Sequence, residues 1–291
     1  MKIDKELTSR LVTSQFPEWK DLPITPVALS GWDNRTFHLG DEMLIRMPSG
    51  PDYALQVEKE HHWLPKLVPY LPLPIPEPLA VGMPGEGYPW HWSIYRWLEG
   101  TPASTSHITD LNVFAKDLAK FLVALQKINT AHGPEPGLHN FYRGGPLSTY
   151  DADTRKAIDA LKGKIDTDKA LEIWEEALAT SWDQKPVWLH GDMSPSNLLV
   201  QEGKLTSVID FGQLGIGDPA CDLAIAWSFF EGESQKVFRE HLPLDRETWA
   251  RGRGWCLWKF LVVAAGFTKW DGVETHRVWE ILDGVINPSG F

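Results

Sequence analysis

Three side chains with hard oxygen donors, Asp192, Asn197 and Asp210, sit at spacings that could bring them together. The run His190-Gly191-Asp192-Met193-Ser194-Pro195-Ser196-Asn197 leads into two short apolar segments separated by Glu202 and Gly203, and Asp210-Phe211-Gly212 closes the second segment. Two segments of similar length around a glycine turn predict a β-hairpin over Leu198 to Phe211. Such a hairpin returns the Asp210 carboxylate to the end where the Asn197 amide begins. Oxygen ligands converging there suit Mg²⁺, which takes one or two carboxylates together with phosphate oxygens. Asp192, on the loop entering that end, is placed to accept or orient the proton of an attacking hydroxyl. The chain contains neither a G-x-S-x-G elbow nor an H-E-x-x-H zinc motif, so the chemistry left is direct, metal-assisted phosphoryl transfer. Any one of these residues alone would read as a loop cap, the commonest use of Asp and Asn; the ordered set carries the expectation.

The set H-G-D-x-x-x-x-N followed by D-F-G resembles the kinase catalytic sequence H-R-D-x-x-x-x-N and D-F-G. Gly in place of Arg is similar to aminoglycoside phosphotransferases and choline-kinase-like enzymes. Gly217-Asp218-Pro219-Ala220-Cys221-Asp222-Leu223-Ala224 resembles the G-D-P-x-x-D-L-A segment of the same family. The resemblance runs from about residue 27 to 230 and is most specific over 190–224. It implies that Asp192 is the catalytic base, that Asn197 and Asp210 hold Mg²⁺, and that His190 and Asp222 brace the catalytic loop. It also implies ATP or GTP as the donor. The acceptor would be a hydroxyl of an aminoglycoside-like substrate, with macrolides, choline, homoserine and methylthioribose as alternatives. Antibiotic resistance would then be one possible consequence, and a catalytically silent pseudokinase is a different class of outcome that the intact triad of residues argues against.

The same resemblance can be followed into the first third of the chain. Phosphate binding needs a cation on a strand, paired with a helix glutamate. Met43-Leu44-Ile45-Arg46-Met47 offers Arg46, a departure from the usual kinase Lys that still binds phosphate, with a different geometry. Glu58 and Glu60 compete as its partner. Glu60 shares a helical face with Val57, Trp63 and Leu64, where a carboxylate needs a compensating charge, so Glu60 is the expected partner. The candidate phosphate-covering turn is Ser30-Gly31-Trp32-Asp33-Asn34-Arg35-Thr36, in which Ser30, Gly31 and Asn34 would cradle phosphate without a G-x-G-x-x-G pattern. The stretch Ser93 to Gly100 falls where the family's interlobe hinge would lie, with backbone groups near Ser93 and Tyr95 facing the nucleobase.

The elements that must hold these residues divide the chain in two. Residues 1–15 predict a helix and Phe16 to Pro26 a loop. Strands are expected over Val27 to Leu39, Glu42 to Met47 and Trp92 to Trp97. A helix over Tyr53 to Leu64 should end or kink at Pro65, and Leu71 to Pro78 should be extended. Beyond Gly100 and Pro102 the period becomes helical: Asp110 to Ile128, Asp153 to Lys164, Asp168 to Thr180, Asp218 to Phe230, Glu247 to Phe267 and Thr275 to Ile286. This is an α+β, two-lobed, protein-kinase-like layout, with a nucleotide lobe at 1–98 and a helical lobe at 99–291. The acceptor is expected between Asp153 to Thr180 and Glu231 to Phe291.

Composition sets the outer bounds. With 43% hydrophobic and 23% charged residues, the chain has the balance of a globular enzyme. A net charge of −11 argues against nucleic acid and anionic membrane surfaces as partners. It would suit a polycationic acceptor if the charge lay near the site. The two cysteines, Cys221 and Cys256, form no CxxC pair, so neither a disulfide framework nor a cysteine zinc site is expected. Without a long apolar stretch at the amino terminus or elsewhere, the expected compartment is the cytoplasm. Fifteen Trp residues leave some to line a pocket.

Overall fold

The computed structural model describes residues 2–28, 33–268 and 275–288. Helix α1 (Lys5–Gln15) begins where the Asp4 carboxylate accepts the backbone N–H of Leu7, an N-cap that satisfies one of the helix's orphan donors. Five antiparallel strands follow in the order β1-β2-β3-β5-β4: β1 (Ile24–Pro26), β2 (Asn34–Leu39), β3 (Met43–Pro48), β4 (Pro78–Gly82) and β5 (Trp92–Arg96). Helix α2 (Pro51–Leu67) lies between β3 and β4 in sequence.

Alternation along the central strands decides which side chains reach the site. Ile45 and Met47 of β3, with Trp92 and Ile94 of β5, pack with Leu7 and Leu11 of α1 in one buried cluster. The intervening residues, Arg46 on β3 and Ser93 and Tyr95 on β5, are carried to the opposite face, where Arg46 and Tyr95 meet Glu60 of α2. The period-two geometry of the strand therefore delivers a lone cation to a helix carboxylate.

Some local readings differ from the structure. β1 lies in the stretch expected to be loop; it is an edge strand, where Pro26 loses no ladder bond that matters. β4 was not anticipated. Its Gly82 permits a close approach to β5, since a Cβ there would lie 1.9 Å from the Trp92 indole. Of the two outcomes expected at Pro65, an end to α2 does not occur, since the helix runs through it to Leu67.

The remainder is mainly helical: β6 (Thr101–Pro102), α3 (Leu111–Gln126), α4 (Asp151–Ala160), α5 (Thr167–Leu178), β7 (Val187–Leu189), β8 (Leu198–Gln201), β9 (Lys204–Val208), β10 (Gly215–Gly217), α6 (Ile225–Ser228), α7 (Gly232–Glu240), α8 (Arg246–Ala264) and α9 (Thr275–Ile286). β8 and β9 form the expected hairpin, with β6 on its outer edge, and β7 pairs with β10. A second buried cluster, built largely on α3, α5 and α8, fills this half and includes Leu64 and Leu67 of α2.

The helix expected over Asp218 to Phe230 is split into a 3₁₀ segment, Pro219–Ala224, and α6. Asp218 caps that segment through Ala220 N–H while its other carboxylate oxygen accepts from buried Arg251 at 2.7 Å. The anchored carboxylate fixes the entry of the chain. Gly252 of α8 then allows close packing, because a Cβ there would meet Leu223 at 2.7 Å.

Candidate active site

β7 runs into His190, and the loop it opens is held from below by a buried carboxylate. Asp222 accepts the backbone N–H groups of His190 and Gly191, both at 2.8 Å. The His190 ring adds two bonds. Its Nδ1 accepts the N–H of Asp192 at 3.2 Å, which leaves the proton on Nε2, and Nε2 donates to Ile209 O at 2.9 Å. The ring is also edge-on to Phe211, centroids 4.6 Å apart. Burial pushes the Asp222 carboxyl up, against the pull of His190 and the two amides.

The glycine between His190 and Asp192 has a steric reason. Gly191 has φ +88°, and a Cβ on it would lie 2.3 Å from the carbonyl oxygen of Gln213. Any side chain here would drive this loop off the segment that follows Asp210.

Asn197 joins Asp192 to the hairpin. Its Nδ2 donates to the Asp192 carbonyl at 2.9 Å and approaches Oδ2 of the same residue at 3.4 Å. Ile209 N–H in turn donates to Asn197 O at 2.9 Å, so Asp210 emerges next to Asn197. Asp210 itself has φ +65°, a left-handed conformation that turns its carboxylate out of the strand line. Its Oδ1 accepts from Arg46 Nη2 at 2.7 Å.

Around Arg46 the charge is unbalanced. The guanidinium, 11% exposed, faces Asp210, Glu60 at 3.3 Å and Asp33 at 3.7 Å. Burial alone would lower its pKa, but the three carboxylates outweigh it and hold Arg46 charged. Burial, then Asp210, pushes Asp33 up to about 7 against the opposing pull of Arg46. Glu60 also accepts from the Tyr95 hydroxyl. Glu58, the rejected partner, is exposed and pairs with His91. One cation among three carboxylates leaves an excess of negative charge that a divalent ion would offset. Asn197 presents an amide oxygen, since its nitrogen is taken by Asp192, and Asp210 presents a second carboxylate oxygen. Among the described residues no three His, Cys, Asp or Glu side chains form a closed metal cage. Two protein oxygen donors completed by phosphate are what Mg²⁺ accepts, so the residues fit it.

The other expected nucleotide contacts fall differently. Ser30 and Gly31 lie outside the described residues. Asn34 starts β2, buried, with its amide donating to Asp33 at 2.9 Å. Ser93 and Tyr95 lie inside the sheet rather than in a crossing segment. Each has ladder neighbours on β3 and β4 (Arg46 and Val81 for Ser93, Leu44 and Pro78 for Tyr95). Their side chains point to α2, where Ser93 Oγ lies 3.1 Å from His61 Nε2. The chain crosses to the helical half only after Arg96, over 97–100.

Three basic residues at the site were not anticipated. Lys259 of α8 places Nζ 2.8 Å from Asp192 Oδ1. Burial would raise the Asp192 pKa, but Lys259, followed by Arg143 and His190, brings it below the usual carboxylate range. Arg143 donates to Gly191 O at 3.1 Å and to the Tyr150 hydroxyl at 2.7 Å, and its guanidinium lies 5.0 Å from the rings of Trp255 and Trp258. Lys59 of α2 donates to Gly212 O at 2.7 Å and His139 O at 3.2 Å, tying the helix to the Asp-Phe-Gly turn. Lys259 carried a signal, as one charge among Trp255, Cys256, Leu257, Phe260 and Leu261 on a buried helix. Arg143 sits in a loop and carried none.

A two-lobed, kinase-like fold with this loop and hairpin defines a phosphotransferase class of protein, and comparison with known proteins agrees. The profile of the phosphotransferase enzyme family matches residues 24–255. The chain belongs to that family. Over 76 residues it is 50% identical to an aminoglycoside 3'-phosphotransferase of Escherichia coli, a match spanning 25% of this chain and only 27% of that protein. The GDP complex of aminoglycoside 2'-phosphotransferase-IIIa has the same fold, with a TM-score of 0.71 at 17% identity over 98% of this chain and 99% of that one. Macrolide 2'-phosphotransferase MphH from Brachybacterium faecium is also similar, with a TM-score of 0.62 at 21% identity over 97% and 99% of the two chains.

Proposed function

We propose that this protein transfers the γ-phosphoryl group of ATP or GTP to a hydroxyl of a small molecule, with an aminoglycoside as the first acceptor to test. The observation that carries this reading is the connected geometry of Asp192, Asn197, Asp210, Arg46 and Glu60 on one side of a braced loop. Residues 1–98 act as the nucleotide lobe and 99–291 as the acceptor lobe. Arg46, released from Asp210 and steered by Glu60, takes the phosphates. Asn34, bonded to Asp33, would contribute to the phosphate contacts from the start of β2. The strand positions of Ser93 and Tyr95 give base recognition to the backbone at 97–100 instead. Asn197 and Asp210 hold Mg²⁺, which neutralises phosphate charge when bound. Asp192, kept ionised by Lys259, orients the acceptor hydroxyl and takes its proton as the bond to phosphorus forms.

His190 and Asp222 act through position alone, since neither is free to reach a substrate while bonded to the loop. The proposed location is cytoplasmic, where nucleoside triphosphates are supplied; among the described residues no helix is long and apolar enough to cross a membrane. If the acceptor is an antibiotic, its phosphorylation provides resistance.

Nucleoside diphosphate release with Mg²⁺ and either nucleotide, across aminoglycosides, macrolides, choline, homoserine and methylthioribose, tests the reading. Turnover is expected with at least one acceptor, and Asp192→Ala should lower kcat by about a hundredfold or more while nucleotide binding persists. Nucleotide binding without turnover on any acceptor would assign the chain to a silent binding module. A macrolide is the second reading, favoured by the fold-wide likeness to a macrolide phosphotransferase.

A further inference from the structure

A cavity of about 670 Å³ opens between the carboxy-terminal turns of α2 and α3, with Trp188 of β7 in its wall. Its volume falls in the range of roughly 300–1,000 Å³ typical of small-molecule sites. None of the residues assigned above to catalysis or nucleotide binding lines it. Trp63 and Trp188 meet edge to face with centroids 4.8 Å apart, and the Trp188 N–H is fixed on Asn129 O at 3.0 Å. Tyr70, 65% exposed, stands at the margin. Trp188, 1% exposed, backs Trp63, so the aromatic surface open to a flat ring is that of Trp63 and Tyr70.

The charge of the cavity is opposite to that of the chain. Of 39 acidic residues in the sequence none lines it, whereas Lys66, Lys120 and Lys127 do. Lys120 is paired with Asp117 at 2.9 Å. Lys66 lies over the Trp63 ring at 4.5 Å and reaches the His62 ring at 2.6 Å. Lys127 is exposed and has no partner among the described residues. The ends of α2 and α3 contribute about half a negative charge each. Three lysines less Asp117 and both helix ends leave about one positive charge beside the rings.

We propose that this cavity binds a small aromatic acid, its ring against Trp63 and Tyr70 and its anionic group between Lys66 and Lys127. The occupant would rest on one element that feeds the active site and be backed by another. Trp63 is one turn beyond Glu60 on α2, and Trp188 is two residues before His190.

The test uses 2-naphthoate and its neutral counterpart 2-naphthamide, titrated into the full chain by calorimetry. Naphthoate is expected to bind below about 1 mM and at least about tenfold more tightly than the amide. Lys66→Glu/Lys127→Glu should bring naphthoate to the level of the amide or below it and leave the amide unchanged. Trp63→Leu should weaken both, with folding checked by circular dichroism. Equal affinity for the two probes, no binding of either, or naphthoate binding indifferent to the charge reversal would each overturn the proposal. Self-association abolished by Lys127→Glu would give the groove to a second copy of the chain and overturn it too. Neither binding measurement depends on phosphoryl transfer.

Discussion

Replacing Lys259 by Met tests the link between α8 and the proposed base. Nζ and Oδ1 are 2.8 Å apart, with the two side chains 22% and 28% exposed. At that separation a unit charge pair is worth roughly 3 kcal/mol at an effective dielectric midway between protein and water. That energy opposes the burial of Asp192, which by itself pushes the carboxyl up. Without Lys259 the carboxylate protonates at higher pH, so the acid limb of kcat/KM moves upward. On the acid side of the new limb, activity should fall by up to about a hundredfold relative to the parent, the equivalent of ~3 kcal/mol. The assay is a pH series of nucleoside diphosphate release at fixed Mg²⁺, run in parallel on Lys259→Met, Lys259→Arg and the parent. Arg should restore the limb. A parallel loss at every pH, with no displacement of the limb, would refute the coupling and leave Lys259 a packing or substrate contact.

Arg46→Ala should raise the nucleotide KM about tenfold to a hundredfold, the worth of a lost charge-assisted bond, and Arg46→Lys should recover part of it; unchanged steady-state kinetics would remove Arg46 from the site. Gly191→Ala must place a methyl group 2.3 Å from Gln213 O at φ +88°, so a loss of about 3 kcal/mol or more is expected, read as a lowered Tm with activity falling alongside. Lys59 is pushed down to about 7 by burial, from 10.5. A base whose folded pKa is depressed releases a proton on folding, so the stability of the parent should rise with pH between about 7 and 10.5 relative to Lys59→Met. Urea unfolding at a series of pH values measures that difference, and identical slopes for the two proteins would dismiss it.

The loop at 190–197, the hairpin and the Asp-Phe-Gly turn were legible because their relative placement depends on local spacing. Two strands of similar length, joined at Glu202 and Gly203, must return Asp210 to Asn197 whatever surrounds them. Helical spacing likewise chose Glu60 over Glu58, since burial of one face is a local periodicity. The strand phase of Ser93 and Tyr95 was harder, because a central strand and a crossing segment share the same apolar character until sheet partners are known. The early edge strand and β4 were invisible for the same reason: a strand exists only through its neighbour. Lys259 reaches Asp192 across 67 residues, and Arg143 reaches Gly191 across 48. No pattern along the chain encodes those distances. Sequence alone determined which oxygens could gather at the hairpin and what chemistry they suit. Only tertiary packing decided which cations surround them, because the field at a carboxylate sums charges by distance in space, not by position in the chain.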